Sequence, residues 1–90
     1  MKYFNWSPSK NRQLKSERNI SFEVILLQIE NGKLLDLLEH PNKIKYPNQK
    51  ILVVEYLSYV YLVPMVESEK EYFLKTIIPS RKATKKYLGV

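Results

Sequence analysis

Four cations, Arg81, Lys82, Lys85 and Lys86, fall within six residues and follow an apolar run that stops at Pro79. Ser80 between the two offers a helix cap. The pattern predicts a strand that hands the chain to a short cationic helix, and it suits a partner with phosphates. RNA carries its own nucleophile, the 2′-hydroxyl, and the phosphate gains negative charge on the way to the transition state. Cations placed at that charge stabilise it without a metal. Arg81 is the leading candidate, because arginine offers bidentate donors to phosphate oxygens and helix-terminal amides reinforce an anion site. Lys82 assists electrostatically. On composition alone the same residues describe a solvated cationic turn equally well.

A second cationic group comes from the polar stretch at 9–19, which holds Lys10, Arg12, Lys15 and Arg18 and only one apolar residue, Leu14. Lys10, Lys15 and Arg18 are candidates to flank the same groove as Arg81. Lys75, Lys85 and Lys86 join Lys10 and Lys15 as candidate RNA contacts. Glu55 lies within an apolar strand and reads as a general base or, more simply, as an outward-facing edge charge. Tyr56, Tyr59, Tyr61 and Tyr72 offer faces on which bases stack, although tyrosine is common in strands for packing reasons alone. Trp6 reads as a packing anchor, and His40, beside Pro41, as a loop residue. Two glycines leave no glycine-rich phosphate loop, and one histidine without cysteine leaves none of the usual zinc ligand sets. No metal and no cofactor are expected.

These residues need elements to position them. Ninety residues make one domain, 1–90, with a single modest core. With 44% hydrophobic and 27% charged residues the chain reads as globular rather than disordered. Tyr3–Trp6 is a first strand. Ser7-Pro8 caps and starts a surface helix that Asn19 closes. Ser21 caps a second helix through Phe22, Val24, Ile25, Leu26 and Ile29, stopped by Asn31-Gly32. The segment 33–39 fits either an extension of the helix through its leucines or, since Gly32 argues for a fresh element, a strand; 40–48 reads as a loop with two prolines, and 50–57 and 59–66 as strands. The last strand is expected at 71–78 and the terminal helix at 80–88. Pro64 suggests an edge position or a bulge. The order is β-α-α-β-β-β-β-α: an α+β fold in which two helices precede a mostly antiparallel meander. One sheet face should meet the helices, while the other carries the tyrosines and needs a cover.

The net charge of +6 favours nucleic acid or an acidic protein as partner. Met1 to Trp6 lacks the apolar stretch of a signal peptide, and no apolar run approaches the roughly 20 residues of a membrane span. The expectation is a cytoplasmic protein with no membrane association.

Three segments carry a family resemblance: Phe4-Asn5-Trp6-Ser7-Pro8-Ser9-Lys10, Ile20-Ser21-Phe22-Glu23, and Ile77-Ile78-Pro79-Ser80-Arg81-Lys82-Ala83-Thr84. In this order and spacing they resemble the BrnT toxin family, whose pattern reads F-x-W-D-x-x-K, K-H-G-V-S-F-E and I-I-S-A-R-K-A-T. The resemblance runs nearly end to end. It implies a small ribonuclease toxin with a RelE-like fold, held inactive by a cognate DNA-binding antitoxin. Operator DNA would be met only through that antitoxin. Lys10, Arg81 and Lys82 match the pattern. The family's lysine-histidine pair is here Glu17-Arg18, its aspartate after the tryptophan is Ser7, and its serine before the arginine is Pro79. An arginine often found in the last strand is Thr76, next to Lys75. Arg18 stabilises charge but is a poor acid or base near pH 7. Two other classes compete with the ribonuclease reading. One is a degenerate toxin-like module that binds antitoxin or nucleic acid without turnover, and the other is a basic DNA-binding protein.

Overall fold

Strand β1 (Tyr3–Trp6) runs into Ser7, whose hydroxyl accepts a hydrogen bond from the Lys10 amide at 3.3 Å. With Pro8 at the first helical position, this starts α1 (Pro8–Arg18), and Asn19, in the left-handed region at φ 54°, ends it. Ser21 caps α2 (Phe22–Glu30) in the same way, accepting from the Val24 amide at 3.2 Å. Buried Asn11 on α1 adds a second cap across the helix pair. Its carbonyl oxygen accepts from the Phe22 amide at 2.8 Å, and its amide donates to Glu23 at 2.8 Å. That amide bond is the main reason the Glu23 carboxyl titrates below its ordinary value. These features come from a computed structural model that describes residues 2–89; Met1 and Val90, the ends of the expected single domain, lie outside the described residues.

The strands that follow are β2 (Leu34–Glu39), β3 (Gln49–Tyr56), β4 (Tyr59–Glu67), β5 (Glu71–Leu74) and β6 (Ile78–Pro79), before α3 (Arg81–Leu88). The sheet order is β1-β5-β4-β3-β2, with β6 also paired to β4. The α+β class holds, with three helices and a mixed sheet.

Two expectations need correction. The sheet is not purely antiparallel: β1 lies parallel to β5, with Phe4 opposite Tyr72 and Trp6 opposite Leu74. The expected strand 71–78 also breaks in two, so the order is β-α-α-β-β-β-β-β-α. Its first part pairs with β4 at 65–67, and its second at 61–62. Pro64 lies between those two stretches. Its carbonyl accepts from the Lys75 amide at 2.8 Å. In an antiparallel strand the N–H and C=O of one residue point the same way, so the donor that proline lacks would face this break. Pro64 is therefore tolerated in a central strand rather than at an edge. The intervening Ile77 turns fully into the core.

Register decides which side chains share a face. Leu52, Val54 and Tyr56 on β3 oppose Val63, Tyr61 and Tyr59 on β4. This face meets α1 and α2. Leu14, Ile20, Phe22 and Ile25 pack there on Leu52, Val54, Val63, Met65, Leu74 and Ile77, with Trp6 stacked on Phe22 at 5.5 Å between ring centroids. Tyr56, Tyr61 and Tyr72 flank that core. The tyrosines thus lie on the face that α1 and α2 cover, not on the opposite one as expected. Their numbering parity matches that of the inward-facing valines. The second face, with fully buried Val53 and Val60, is covered by α3. Among the described residues, no helix is long and apolar enough to cross a membrane.

Candidate nucleic-acid interface

The residues that carry α3 onto the sheet are polar. The Ser80 hydroxyl accepts from the Ala83 amide at 3.1 Å, capping the helix. The Ser80 amide donates to the Val60 carbonyl at 3.0 Å. The Val60 amide in turn donates to the Thr84 hydroxyl at 2.9 Å, and that hydroxyl donates to the Ser80 carbonyl at 2.7 Å. Buried Thr84 thus satisfies a strand amide that helix packing would otherwise leave without an acceptor. At the far end, the Tyr87 hydroxyl donates to Asp36 on β2 at 2.8 Å. That bond lowers the Asp36 carboxyl below its ordinary range and raises the Tyr87 phenol above its own.

These contacts fix the orientation of the helix. Ser80, Ala83, Thr84 and Tyr87 turn toward the sheet, and helical spacing sends the cations to two flanks. Lys82 and Lys86 stand on one flank, where they line a shallow cavity of about 160 Å³ with Leu38 and Leu62. Arg81 and Lys85 share the other flank, and both are exposed. Arg81 and Lys82, adjacent in sequence, therefore diverge.

A second cavity, also about 160 Å³, continues along the same face. It is lined by His40, Gln49, Ile51, Pro64, Val66 and Lys75, among others. His40 follows Leu38 by two residues on the β2 side, and Pro64 follows Leu62 by two on β4. Two residues of strand span roughly 7 Å, so the two cavities, which share no lining residue, are neighbours on this face and are taken together as one groove. Lys75, Lys82 and Lys86 stand along it.

Other sequence candidates lie elsewhere. Lys10 and Lys15 are on α1, against the opposite sheet face, and Lys15 forms an ion pair with Glu23 at 3.8 Å. Both partners of that pair are more than half exposed, so it adds little stability. Arg18 reaches from the end of α1 to donate to the Ile77 carbonyl. It therefore ties α1 to the segment between β5 and β6, a bond the sequence did not signal. Glu55 shares the α3 face but opposes Val60, two cross-strand pairs beyond the Val53–Leu62 pair in the direction away from His40. Its backbone is held by Lys33 and Gln28. The structure therefore gathers Lys75, Lys82 and Lys86 in one groove, places Arg81 and Lys85 at the outer flank of α3, and leaves Lys10, Lys15 and Glu55 outside it.

Gln49 and His40 were not among the sequence candidates for this groove. A strand alternation that puts Leu38 on the α3 face puts His40 there as well, provided the strand continues past Glu39. It does so in part: the His40 amide donates to the Gln49 carbonyl at 3.1 Å. Among the described residues, no group of three or more His, Cys, Asp or Glu side chains could hold a metal ion. Compared with known protein families, curated proteins and solved structures, the chain returns no match.

Proposed function

We propose that this chain is an RNA-cleaving toxin of a type II toxin–antitoxin pair, with a RelE-like fold and a cognate DNA-binding antitoxin as partner. The observation that carries the reading is the segment Ile77 to Thr84. Its sequence resembles the BrnT pattern, and it forms a strand, a serine cap and the start of a helix whose cations stand on its two flanks. Arg81, on the outer flank of α3, stabilises the charge developing on the scissile phosphate, and the lysines on the groove side of the helix hold backbone further along the strand. The α+β class, with two helices ahead of the sheet strands β2–β6 and a short helix after them, supports the reading at the level of fold class.

Arg81→Ala tests this. The substitution is expected to lower RNA cleavage by about 10²–10³-fold, the usual effect of removing one donor from a developing oxyanion, and to relieve growth arrest. A variant that degrades RNA and arrests growth like the unsubstituted protein overturns the assigned role.

One observation favours a second reading, a non-catalytic module that binds antitoxin or nucleic acid. Arg18 stands where the family carries histidine, and its guanidinium is engaged with the Ile77 carbonyl. A purified chain that leaves RNA intact yet binds the product of a neighbouring antitoxin gene tightly supports that reading.

A further inference from the structure

His40 has a defined hydrogen-bonding state. The Asn42 amide donates to its Nδ1 at 3.0 Å. A backbone amide can only donate, so Nδ1 must accept, and the proton of the neutral ring lies on Nε2. The imidazole packs against Tyr46 in a tilted arrangement, with ring centroids 4.5 Å apart and the planes at 44°. It lines the cavity that Lys75 also lines, and Nε2 has no partner among the described residues. A ring held this way donates a hydrogen bond from Nε2. It is poorly suited to take a proton there, because that would require the tautomer the Asn42 amide excludes.

The rest of the cavity complements a nucleotide. Ile51, Pro64 and Val66 provide an apolar floor. Gln49 adds an amide that can donate and accept, and that makes no side-chain hydrogen bond among the described residues. Lys75 is exposed at the rim, and the α3 lysines continue the cationic side of the groove.

We infer that this cavity is a nucleotide subsite for single-stranded RNA: a base lies on Ile51, Pro64 and Val66, and its phosphate is held by Lys75 and the Nε2–H of His40. The inference rests on the RNA-cleaving reading and extends it by naming where the strand binds next to α3. The role of His40 here is recognition through its Nε2–H donor, not proton transfer. The titratable and charged groups around the ring are Tyr46 from its own loop, Lys45 over the Tyr46 ring at 5.4 Å, Lys75 from the segment after β5, and Lys50 from β3. Lys50 is itself bound to Glu67. The Glu39–Lys43 ion pair brackets it in sequence.

His40 is the sole histidine of the chain, so its ring resonances identify themselves. The full chain is titrated with a short single-stranded RNA of mixed sequence, 2′-O-methylated so that it cannot be cleaved. The ring ¹⁵N signals of the free protein should show the Nε2–H tautomer, and the RNA should shift them. His40→Ala should weaken binding about ten- to hundredfold, the range for a hydrogen bond to a charged group. His40→Gln, which keeps an N–H donor, should recover most of it. The matching single-stranded DNA reports whether the 2′ position is read. Ring signals that stay in place while the RNA binds, an Nδ1–H tautomer, or a His40→Ala variant that binds normally each overturn the subsite. If cleavage of unmodified RNA persists in that case, the functional reading stands. If the unsubstituted protein neither binds nor cleaves RNA, both fall.

Discussion

Glu67 closes β4 against two lysines from distant parts of the chain. Its carboxylate bonds Lys2, and it accepts from Lys50 on β3 at 2.6 Å. The Lys2 bond, then the Lys50 bond, pull its pKa from an ordinary 4.5 down to about 2. A carboxyl whose folded value is depressed favours the folded state above its unfolded value, and that contribution fades as pH falls through the folded one. Stability carried by Glu67 is thus fully present above pH 4.5 and lost on the way to about pH 2. Urea midpoints measured across that window should fall steeply for the unsubstituted protein. For Glu67→Gln they should fall less, while Glu23, Asp36 and Glu39, also titrating low, keep part of the slope. An unchanged slope in the variant would show that the cluster does not form in solution. Nothing in the sequence marked this residue, which reads as the first position of a polar turn. Asn11 was equally silent, and Arg18, which the sequence offered as a groove cation, gave no sign of its bond to Ile77; each sits in a polar stretch and its partner lies across the fold. Arg81 and the lysines after it were legible, since clustered charge after a cap is a local pattern.

Elements with local signals were read correctly, and those fixed by distant pairing were not. Ser7, Ser21 and Ser80 each cap the helix they were expected to cap, and Asn19 ends α1 in the left-handed region. The parallel β1–β5 pairing and the break after Leu74 depend on which strands become neighbours, and no local residue pattern encodes that. The groove shares this limitation, because it needs the faces of β2, β4 and α3 to be known together. The β3–β4 hairpin is an intermediate case. Strands expected at 50–57 and 59–66 leave only Ser58 between them, too short for a hairpin turn, so the turn needs a strand residue. It borrows Leu57: Tyr56 pairs with Tyr59, and Leu57 and Ser58 both take positive φ, 51° and 61°. Two central residues at positive φ match a type I′ turn, which favours Asn-Gly. A left-handed backbone costs a side-chain-bearing residue such as leucine roughly 1–2 kcal/mol. Leu57 is exposed and has little packing to lose. The double change Leu57→Asn, Ser58→Gly should therefore stabilise the protein by about 1–2 kcal/mol, read as a higher thermal midpoint. A lower midpoint would mean that Leu57 makes contacts this geometry does not contain.

Across the whole molecule, a net charge of +6 does not form one uniform field, because two groups of candidate cations lie on opposite faces of the sheet. Lys10 and Lys15 ride on α1 over one face, while Lys75, Lys82 and Lys86 follow the groove beside α3 on the other. Charge counted from sequence cannot distinguish these groups, and both were natural candidates for RNA contact. Salt dependence distinguishes them. Each phosphate neutralised on a single strand contributes about 0.7 to the slope of log affinity against log salt. If the three groove lysines each meet a phosphate, replacing all three with glutamine should reduce that slope by about 2. Replacing Lys10 and Lys15 together should leave it nearly unchanged, although net charge then also falls. The comparison separates local contact from bulk attraction, which responds to total charge and not to its position. Equal losses per charge from the two faces would mean that the strand is drawn by net charge alone and does not follow the groove. A slope lost only with the groove lysines would place the bound strand between α3 and the cavity holding His40.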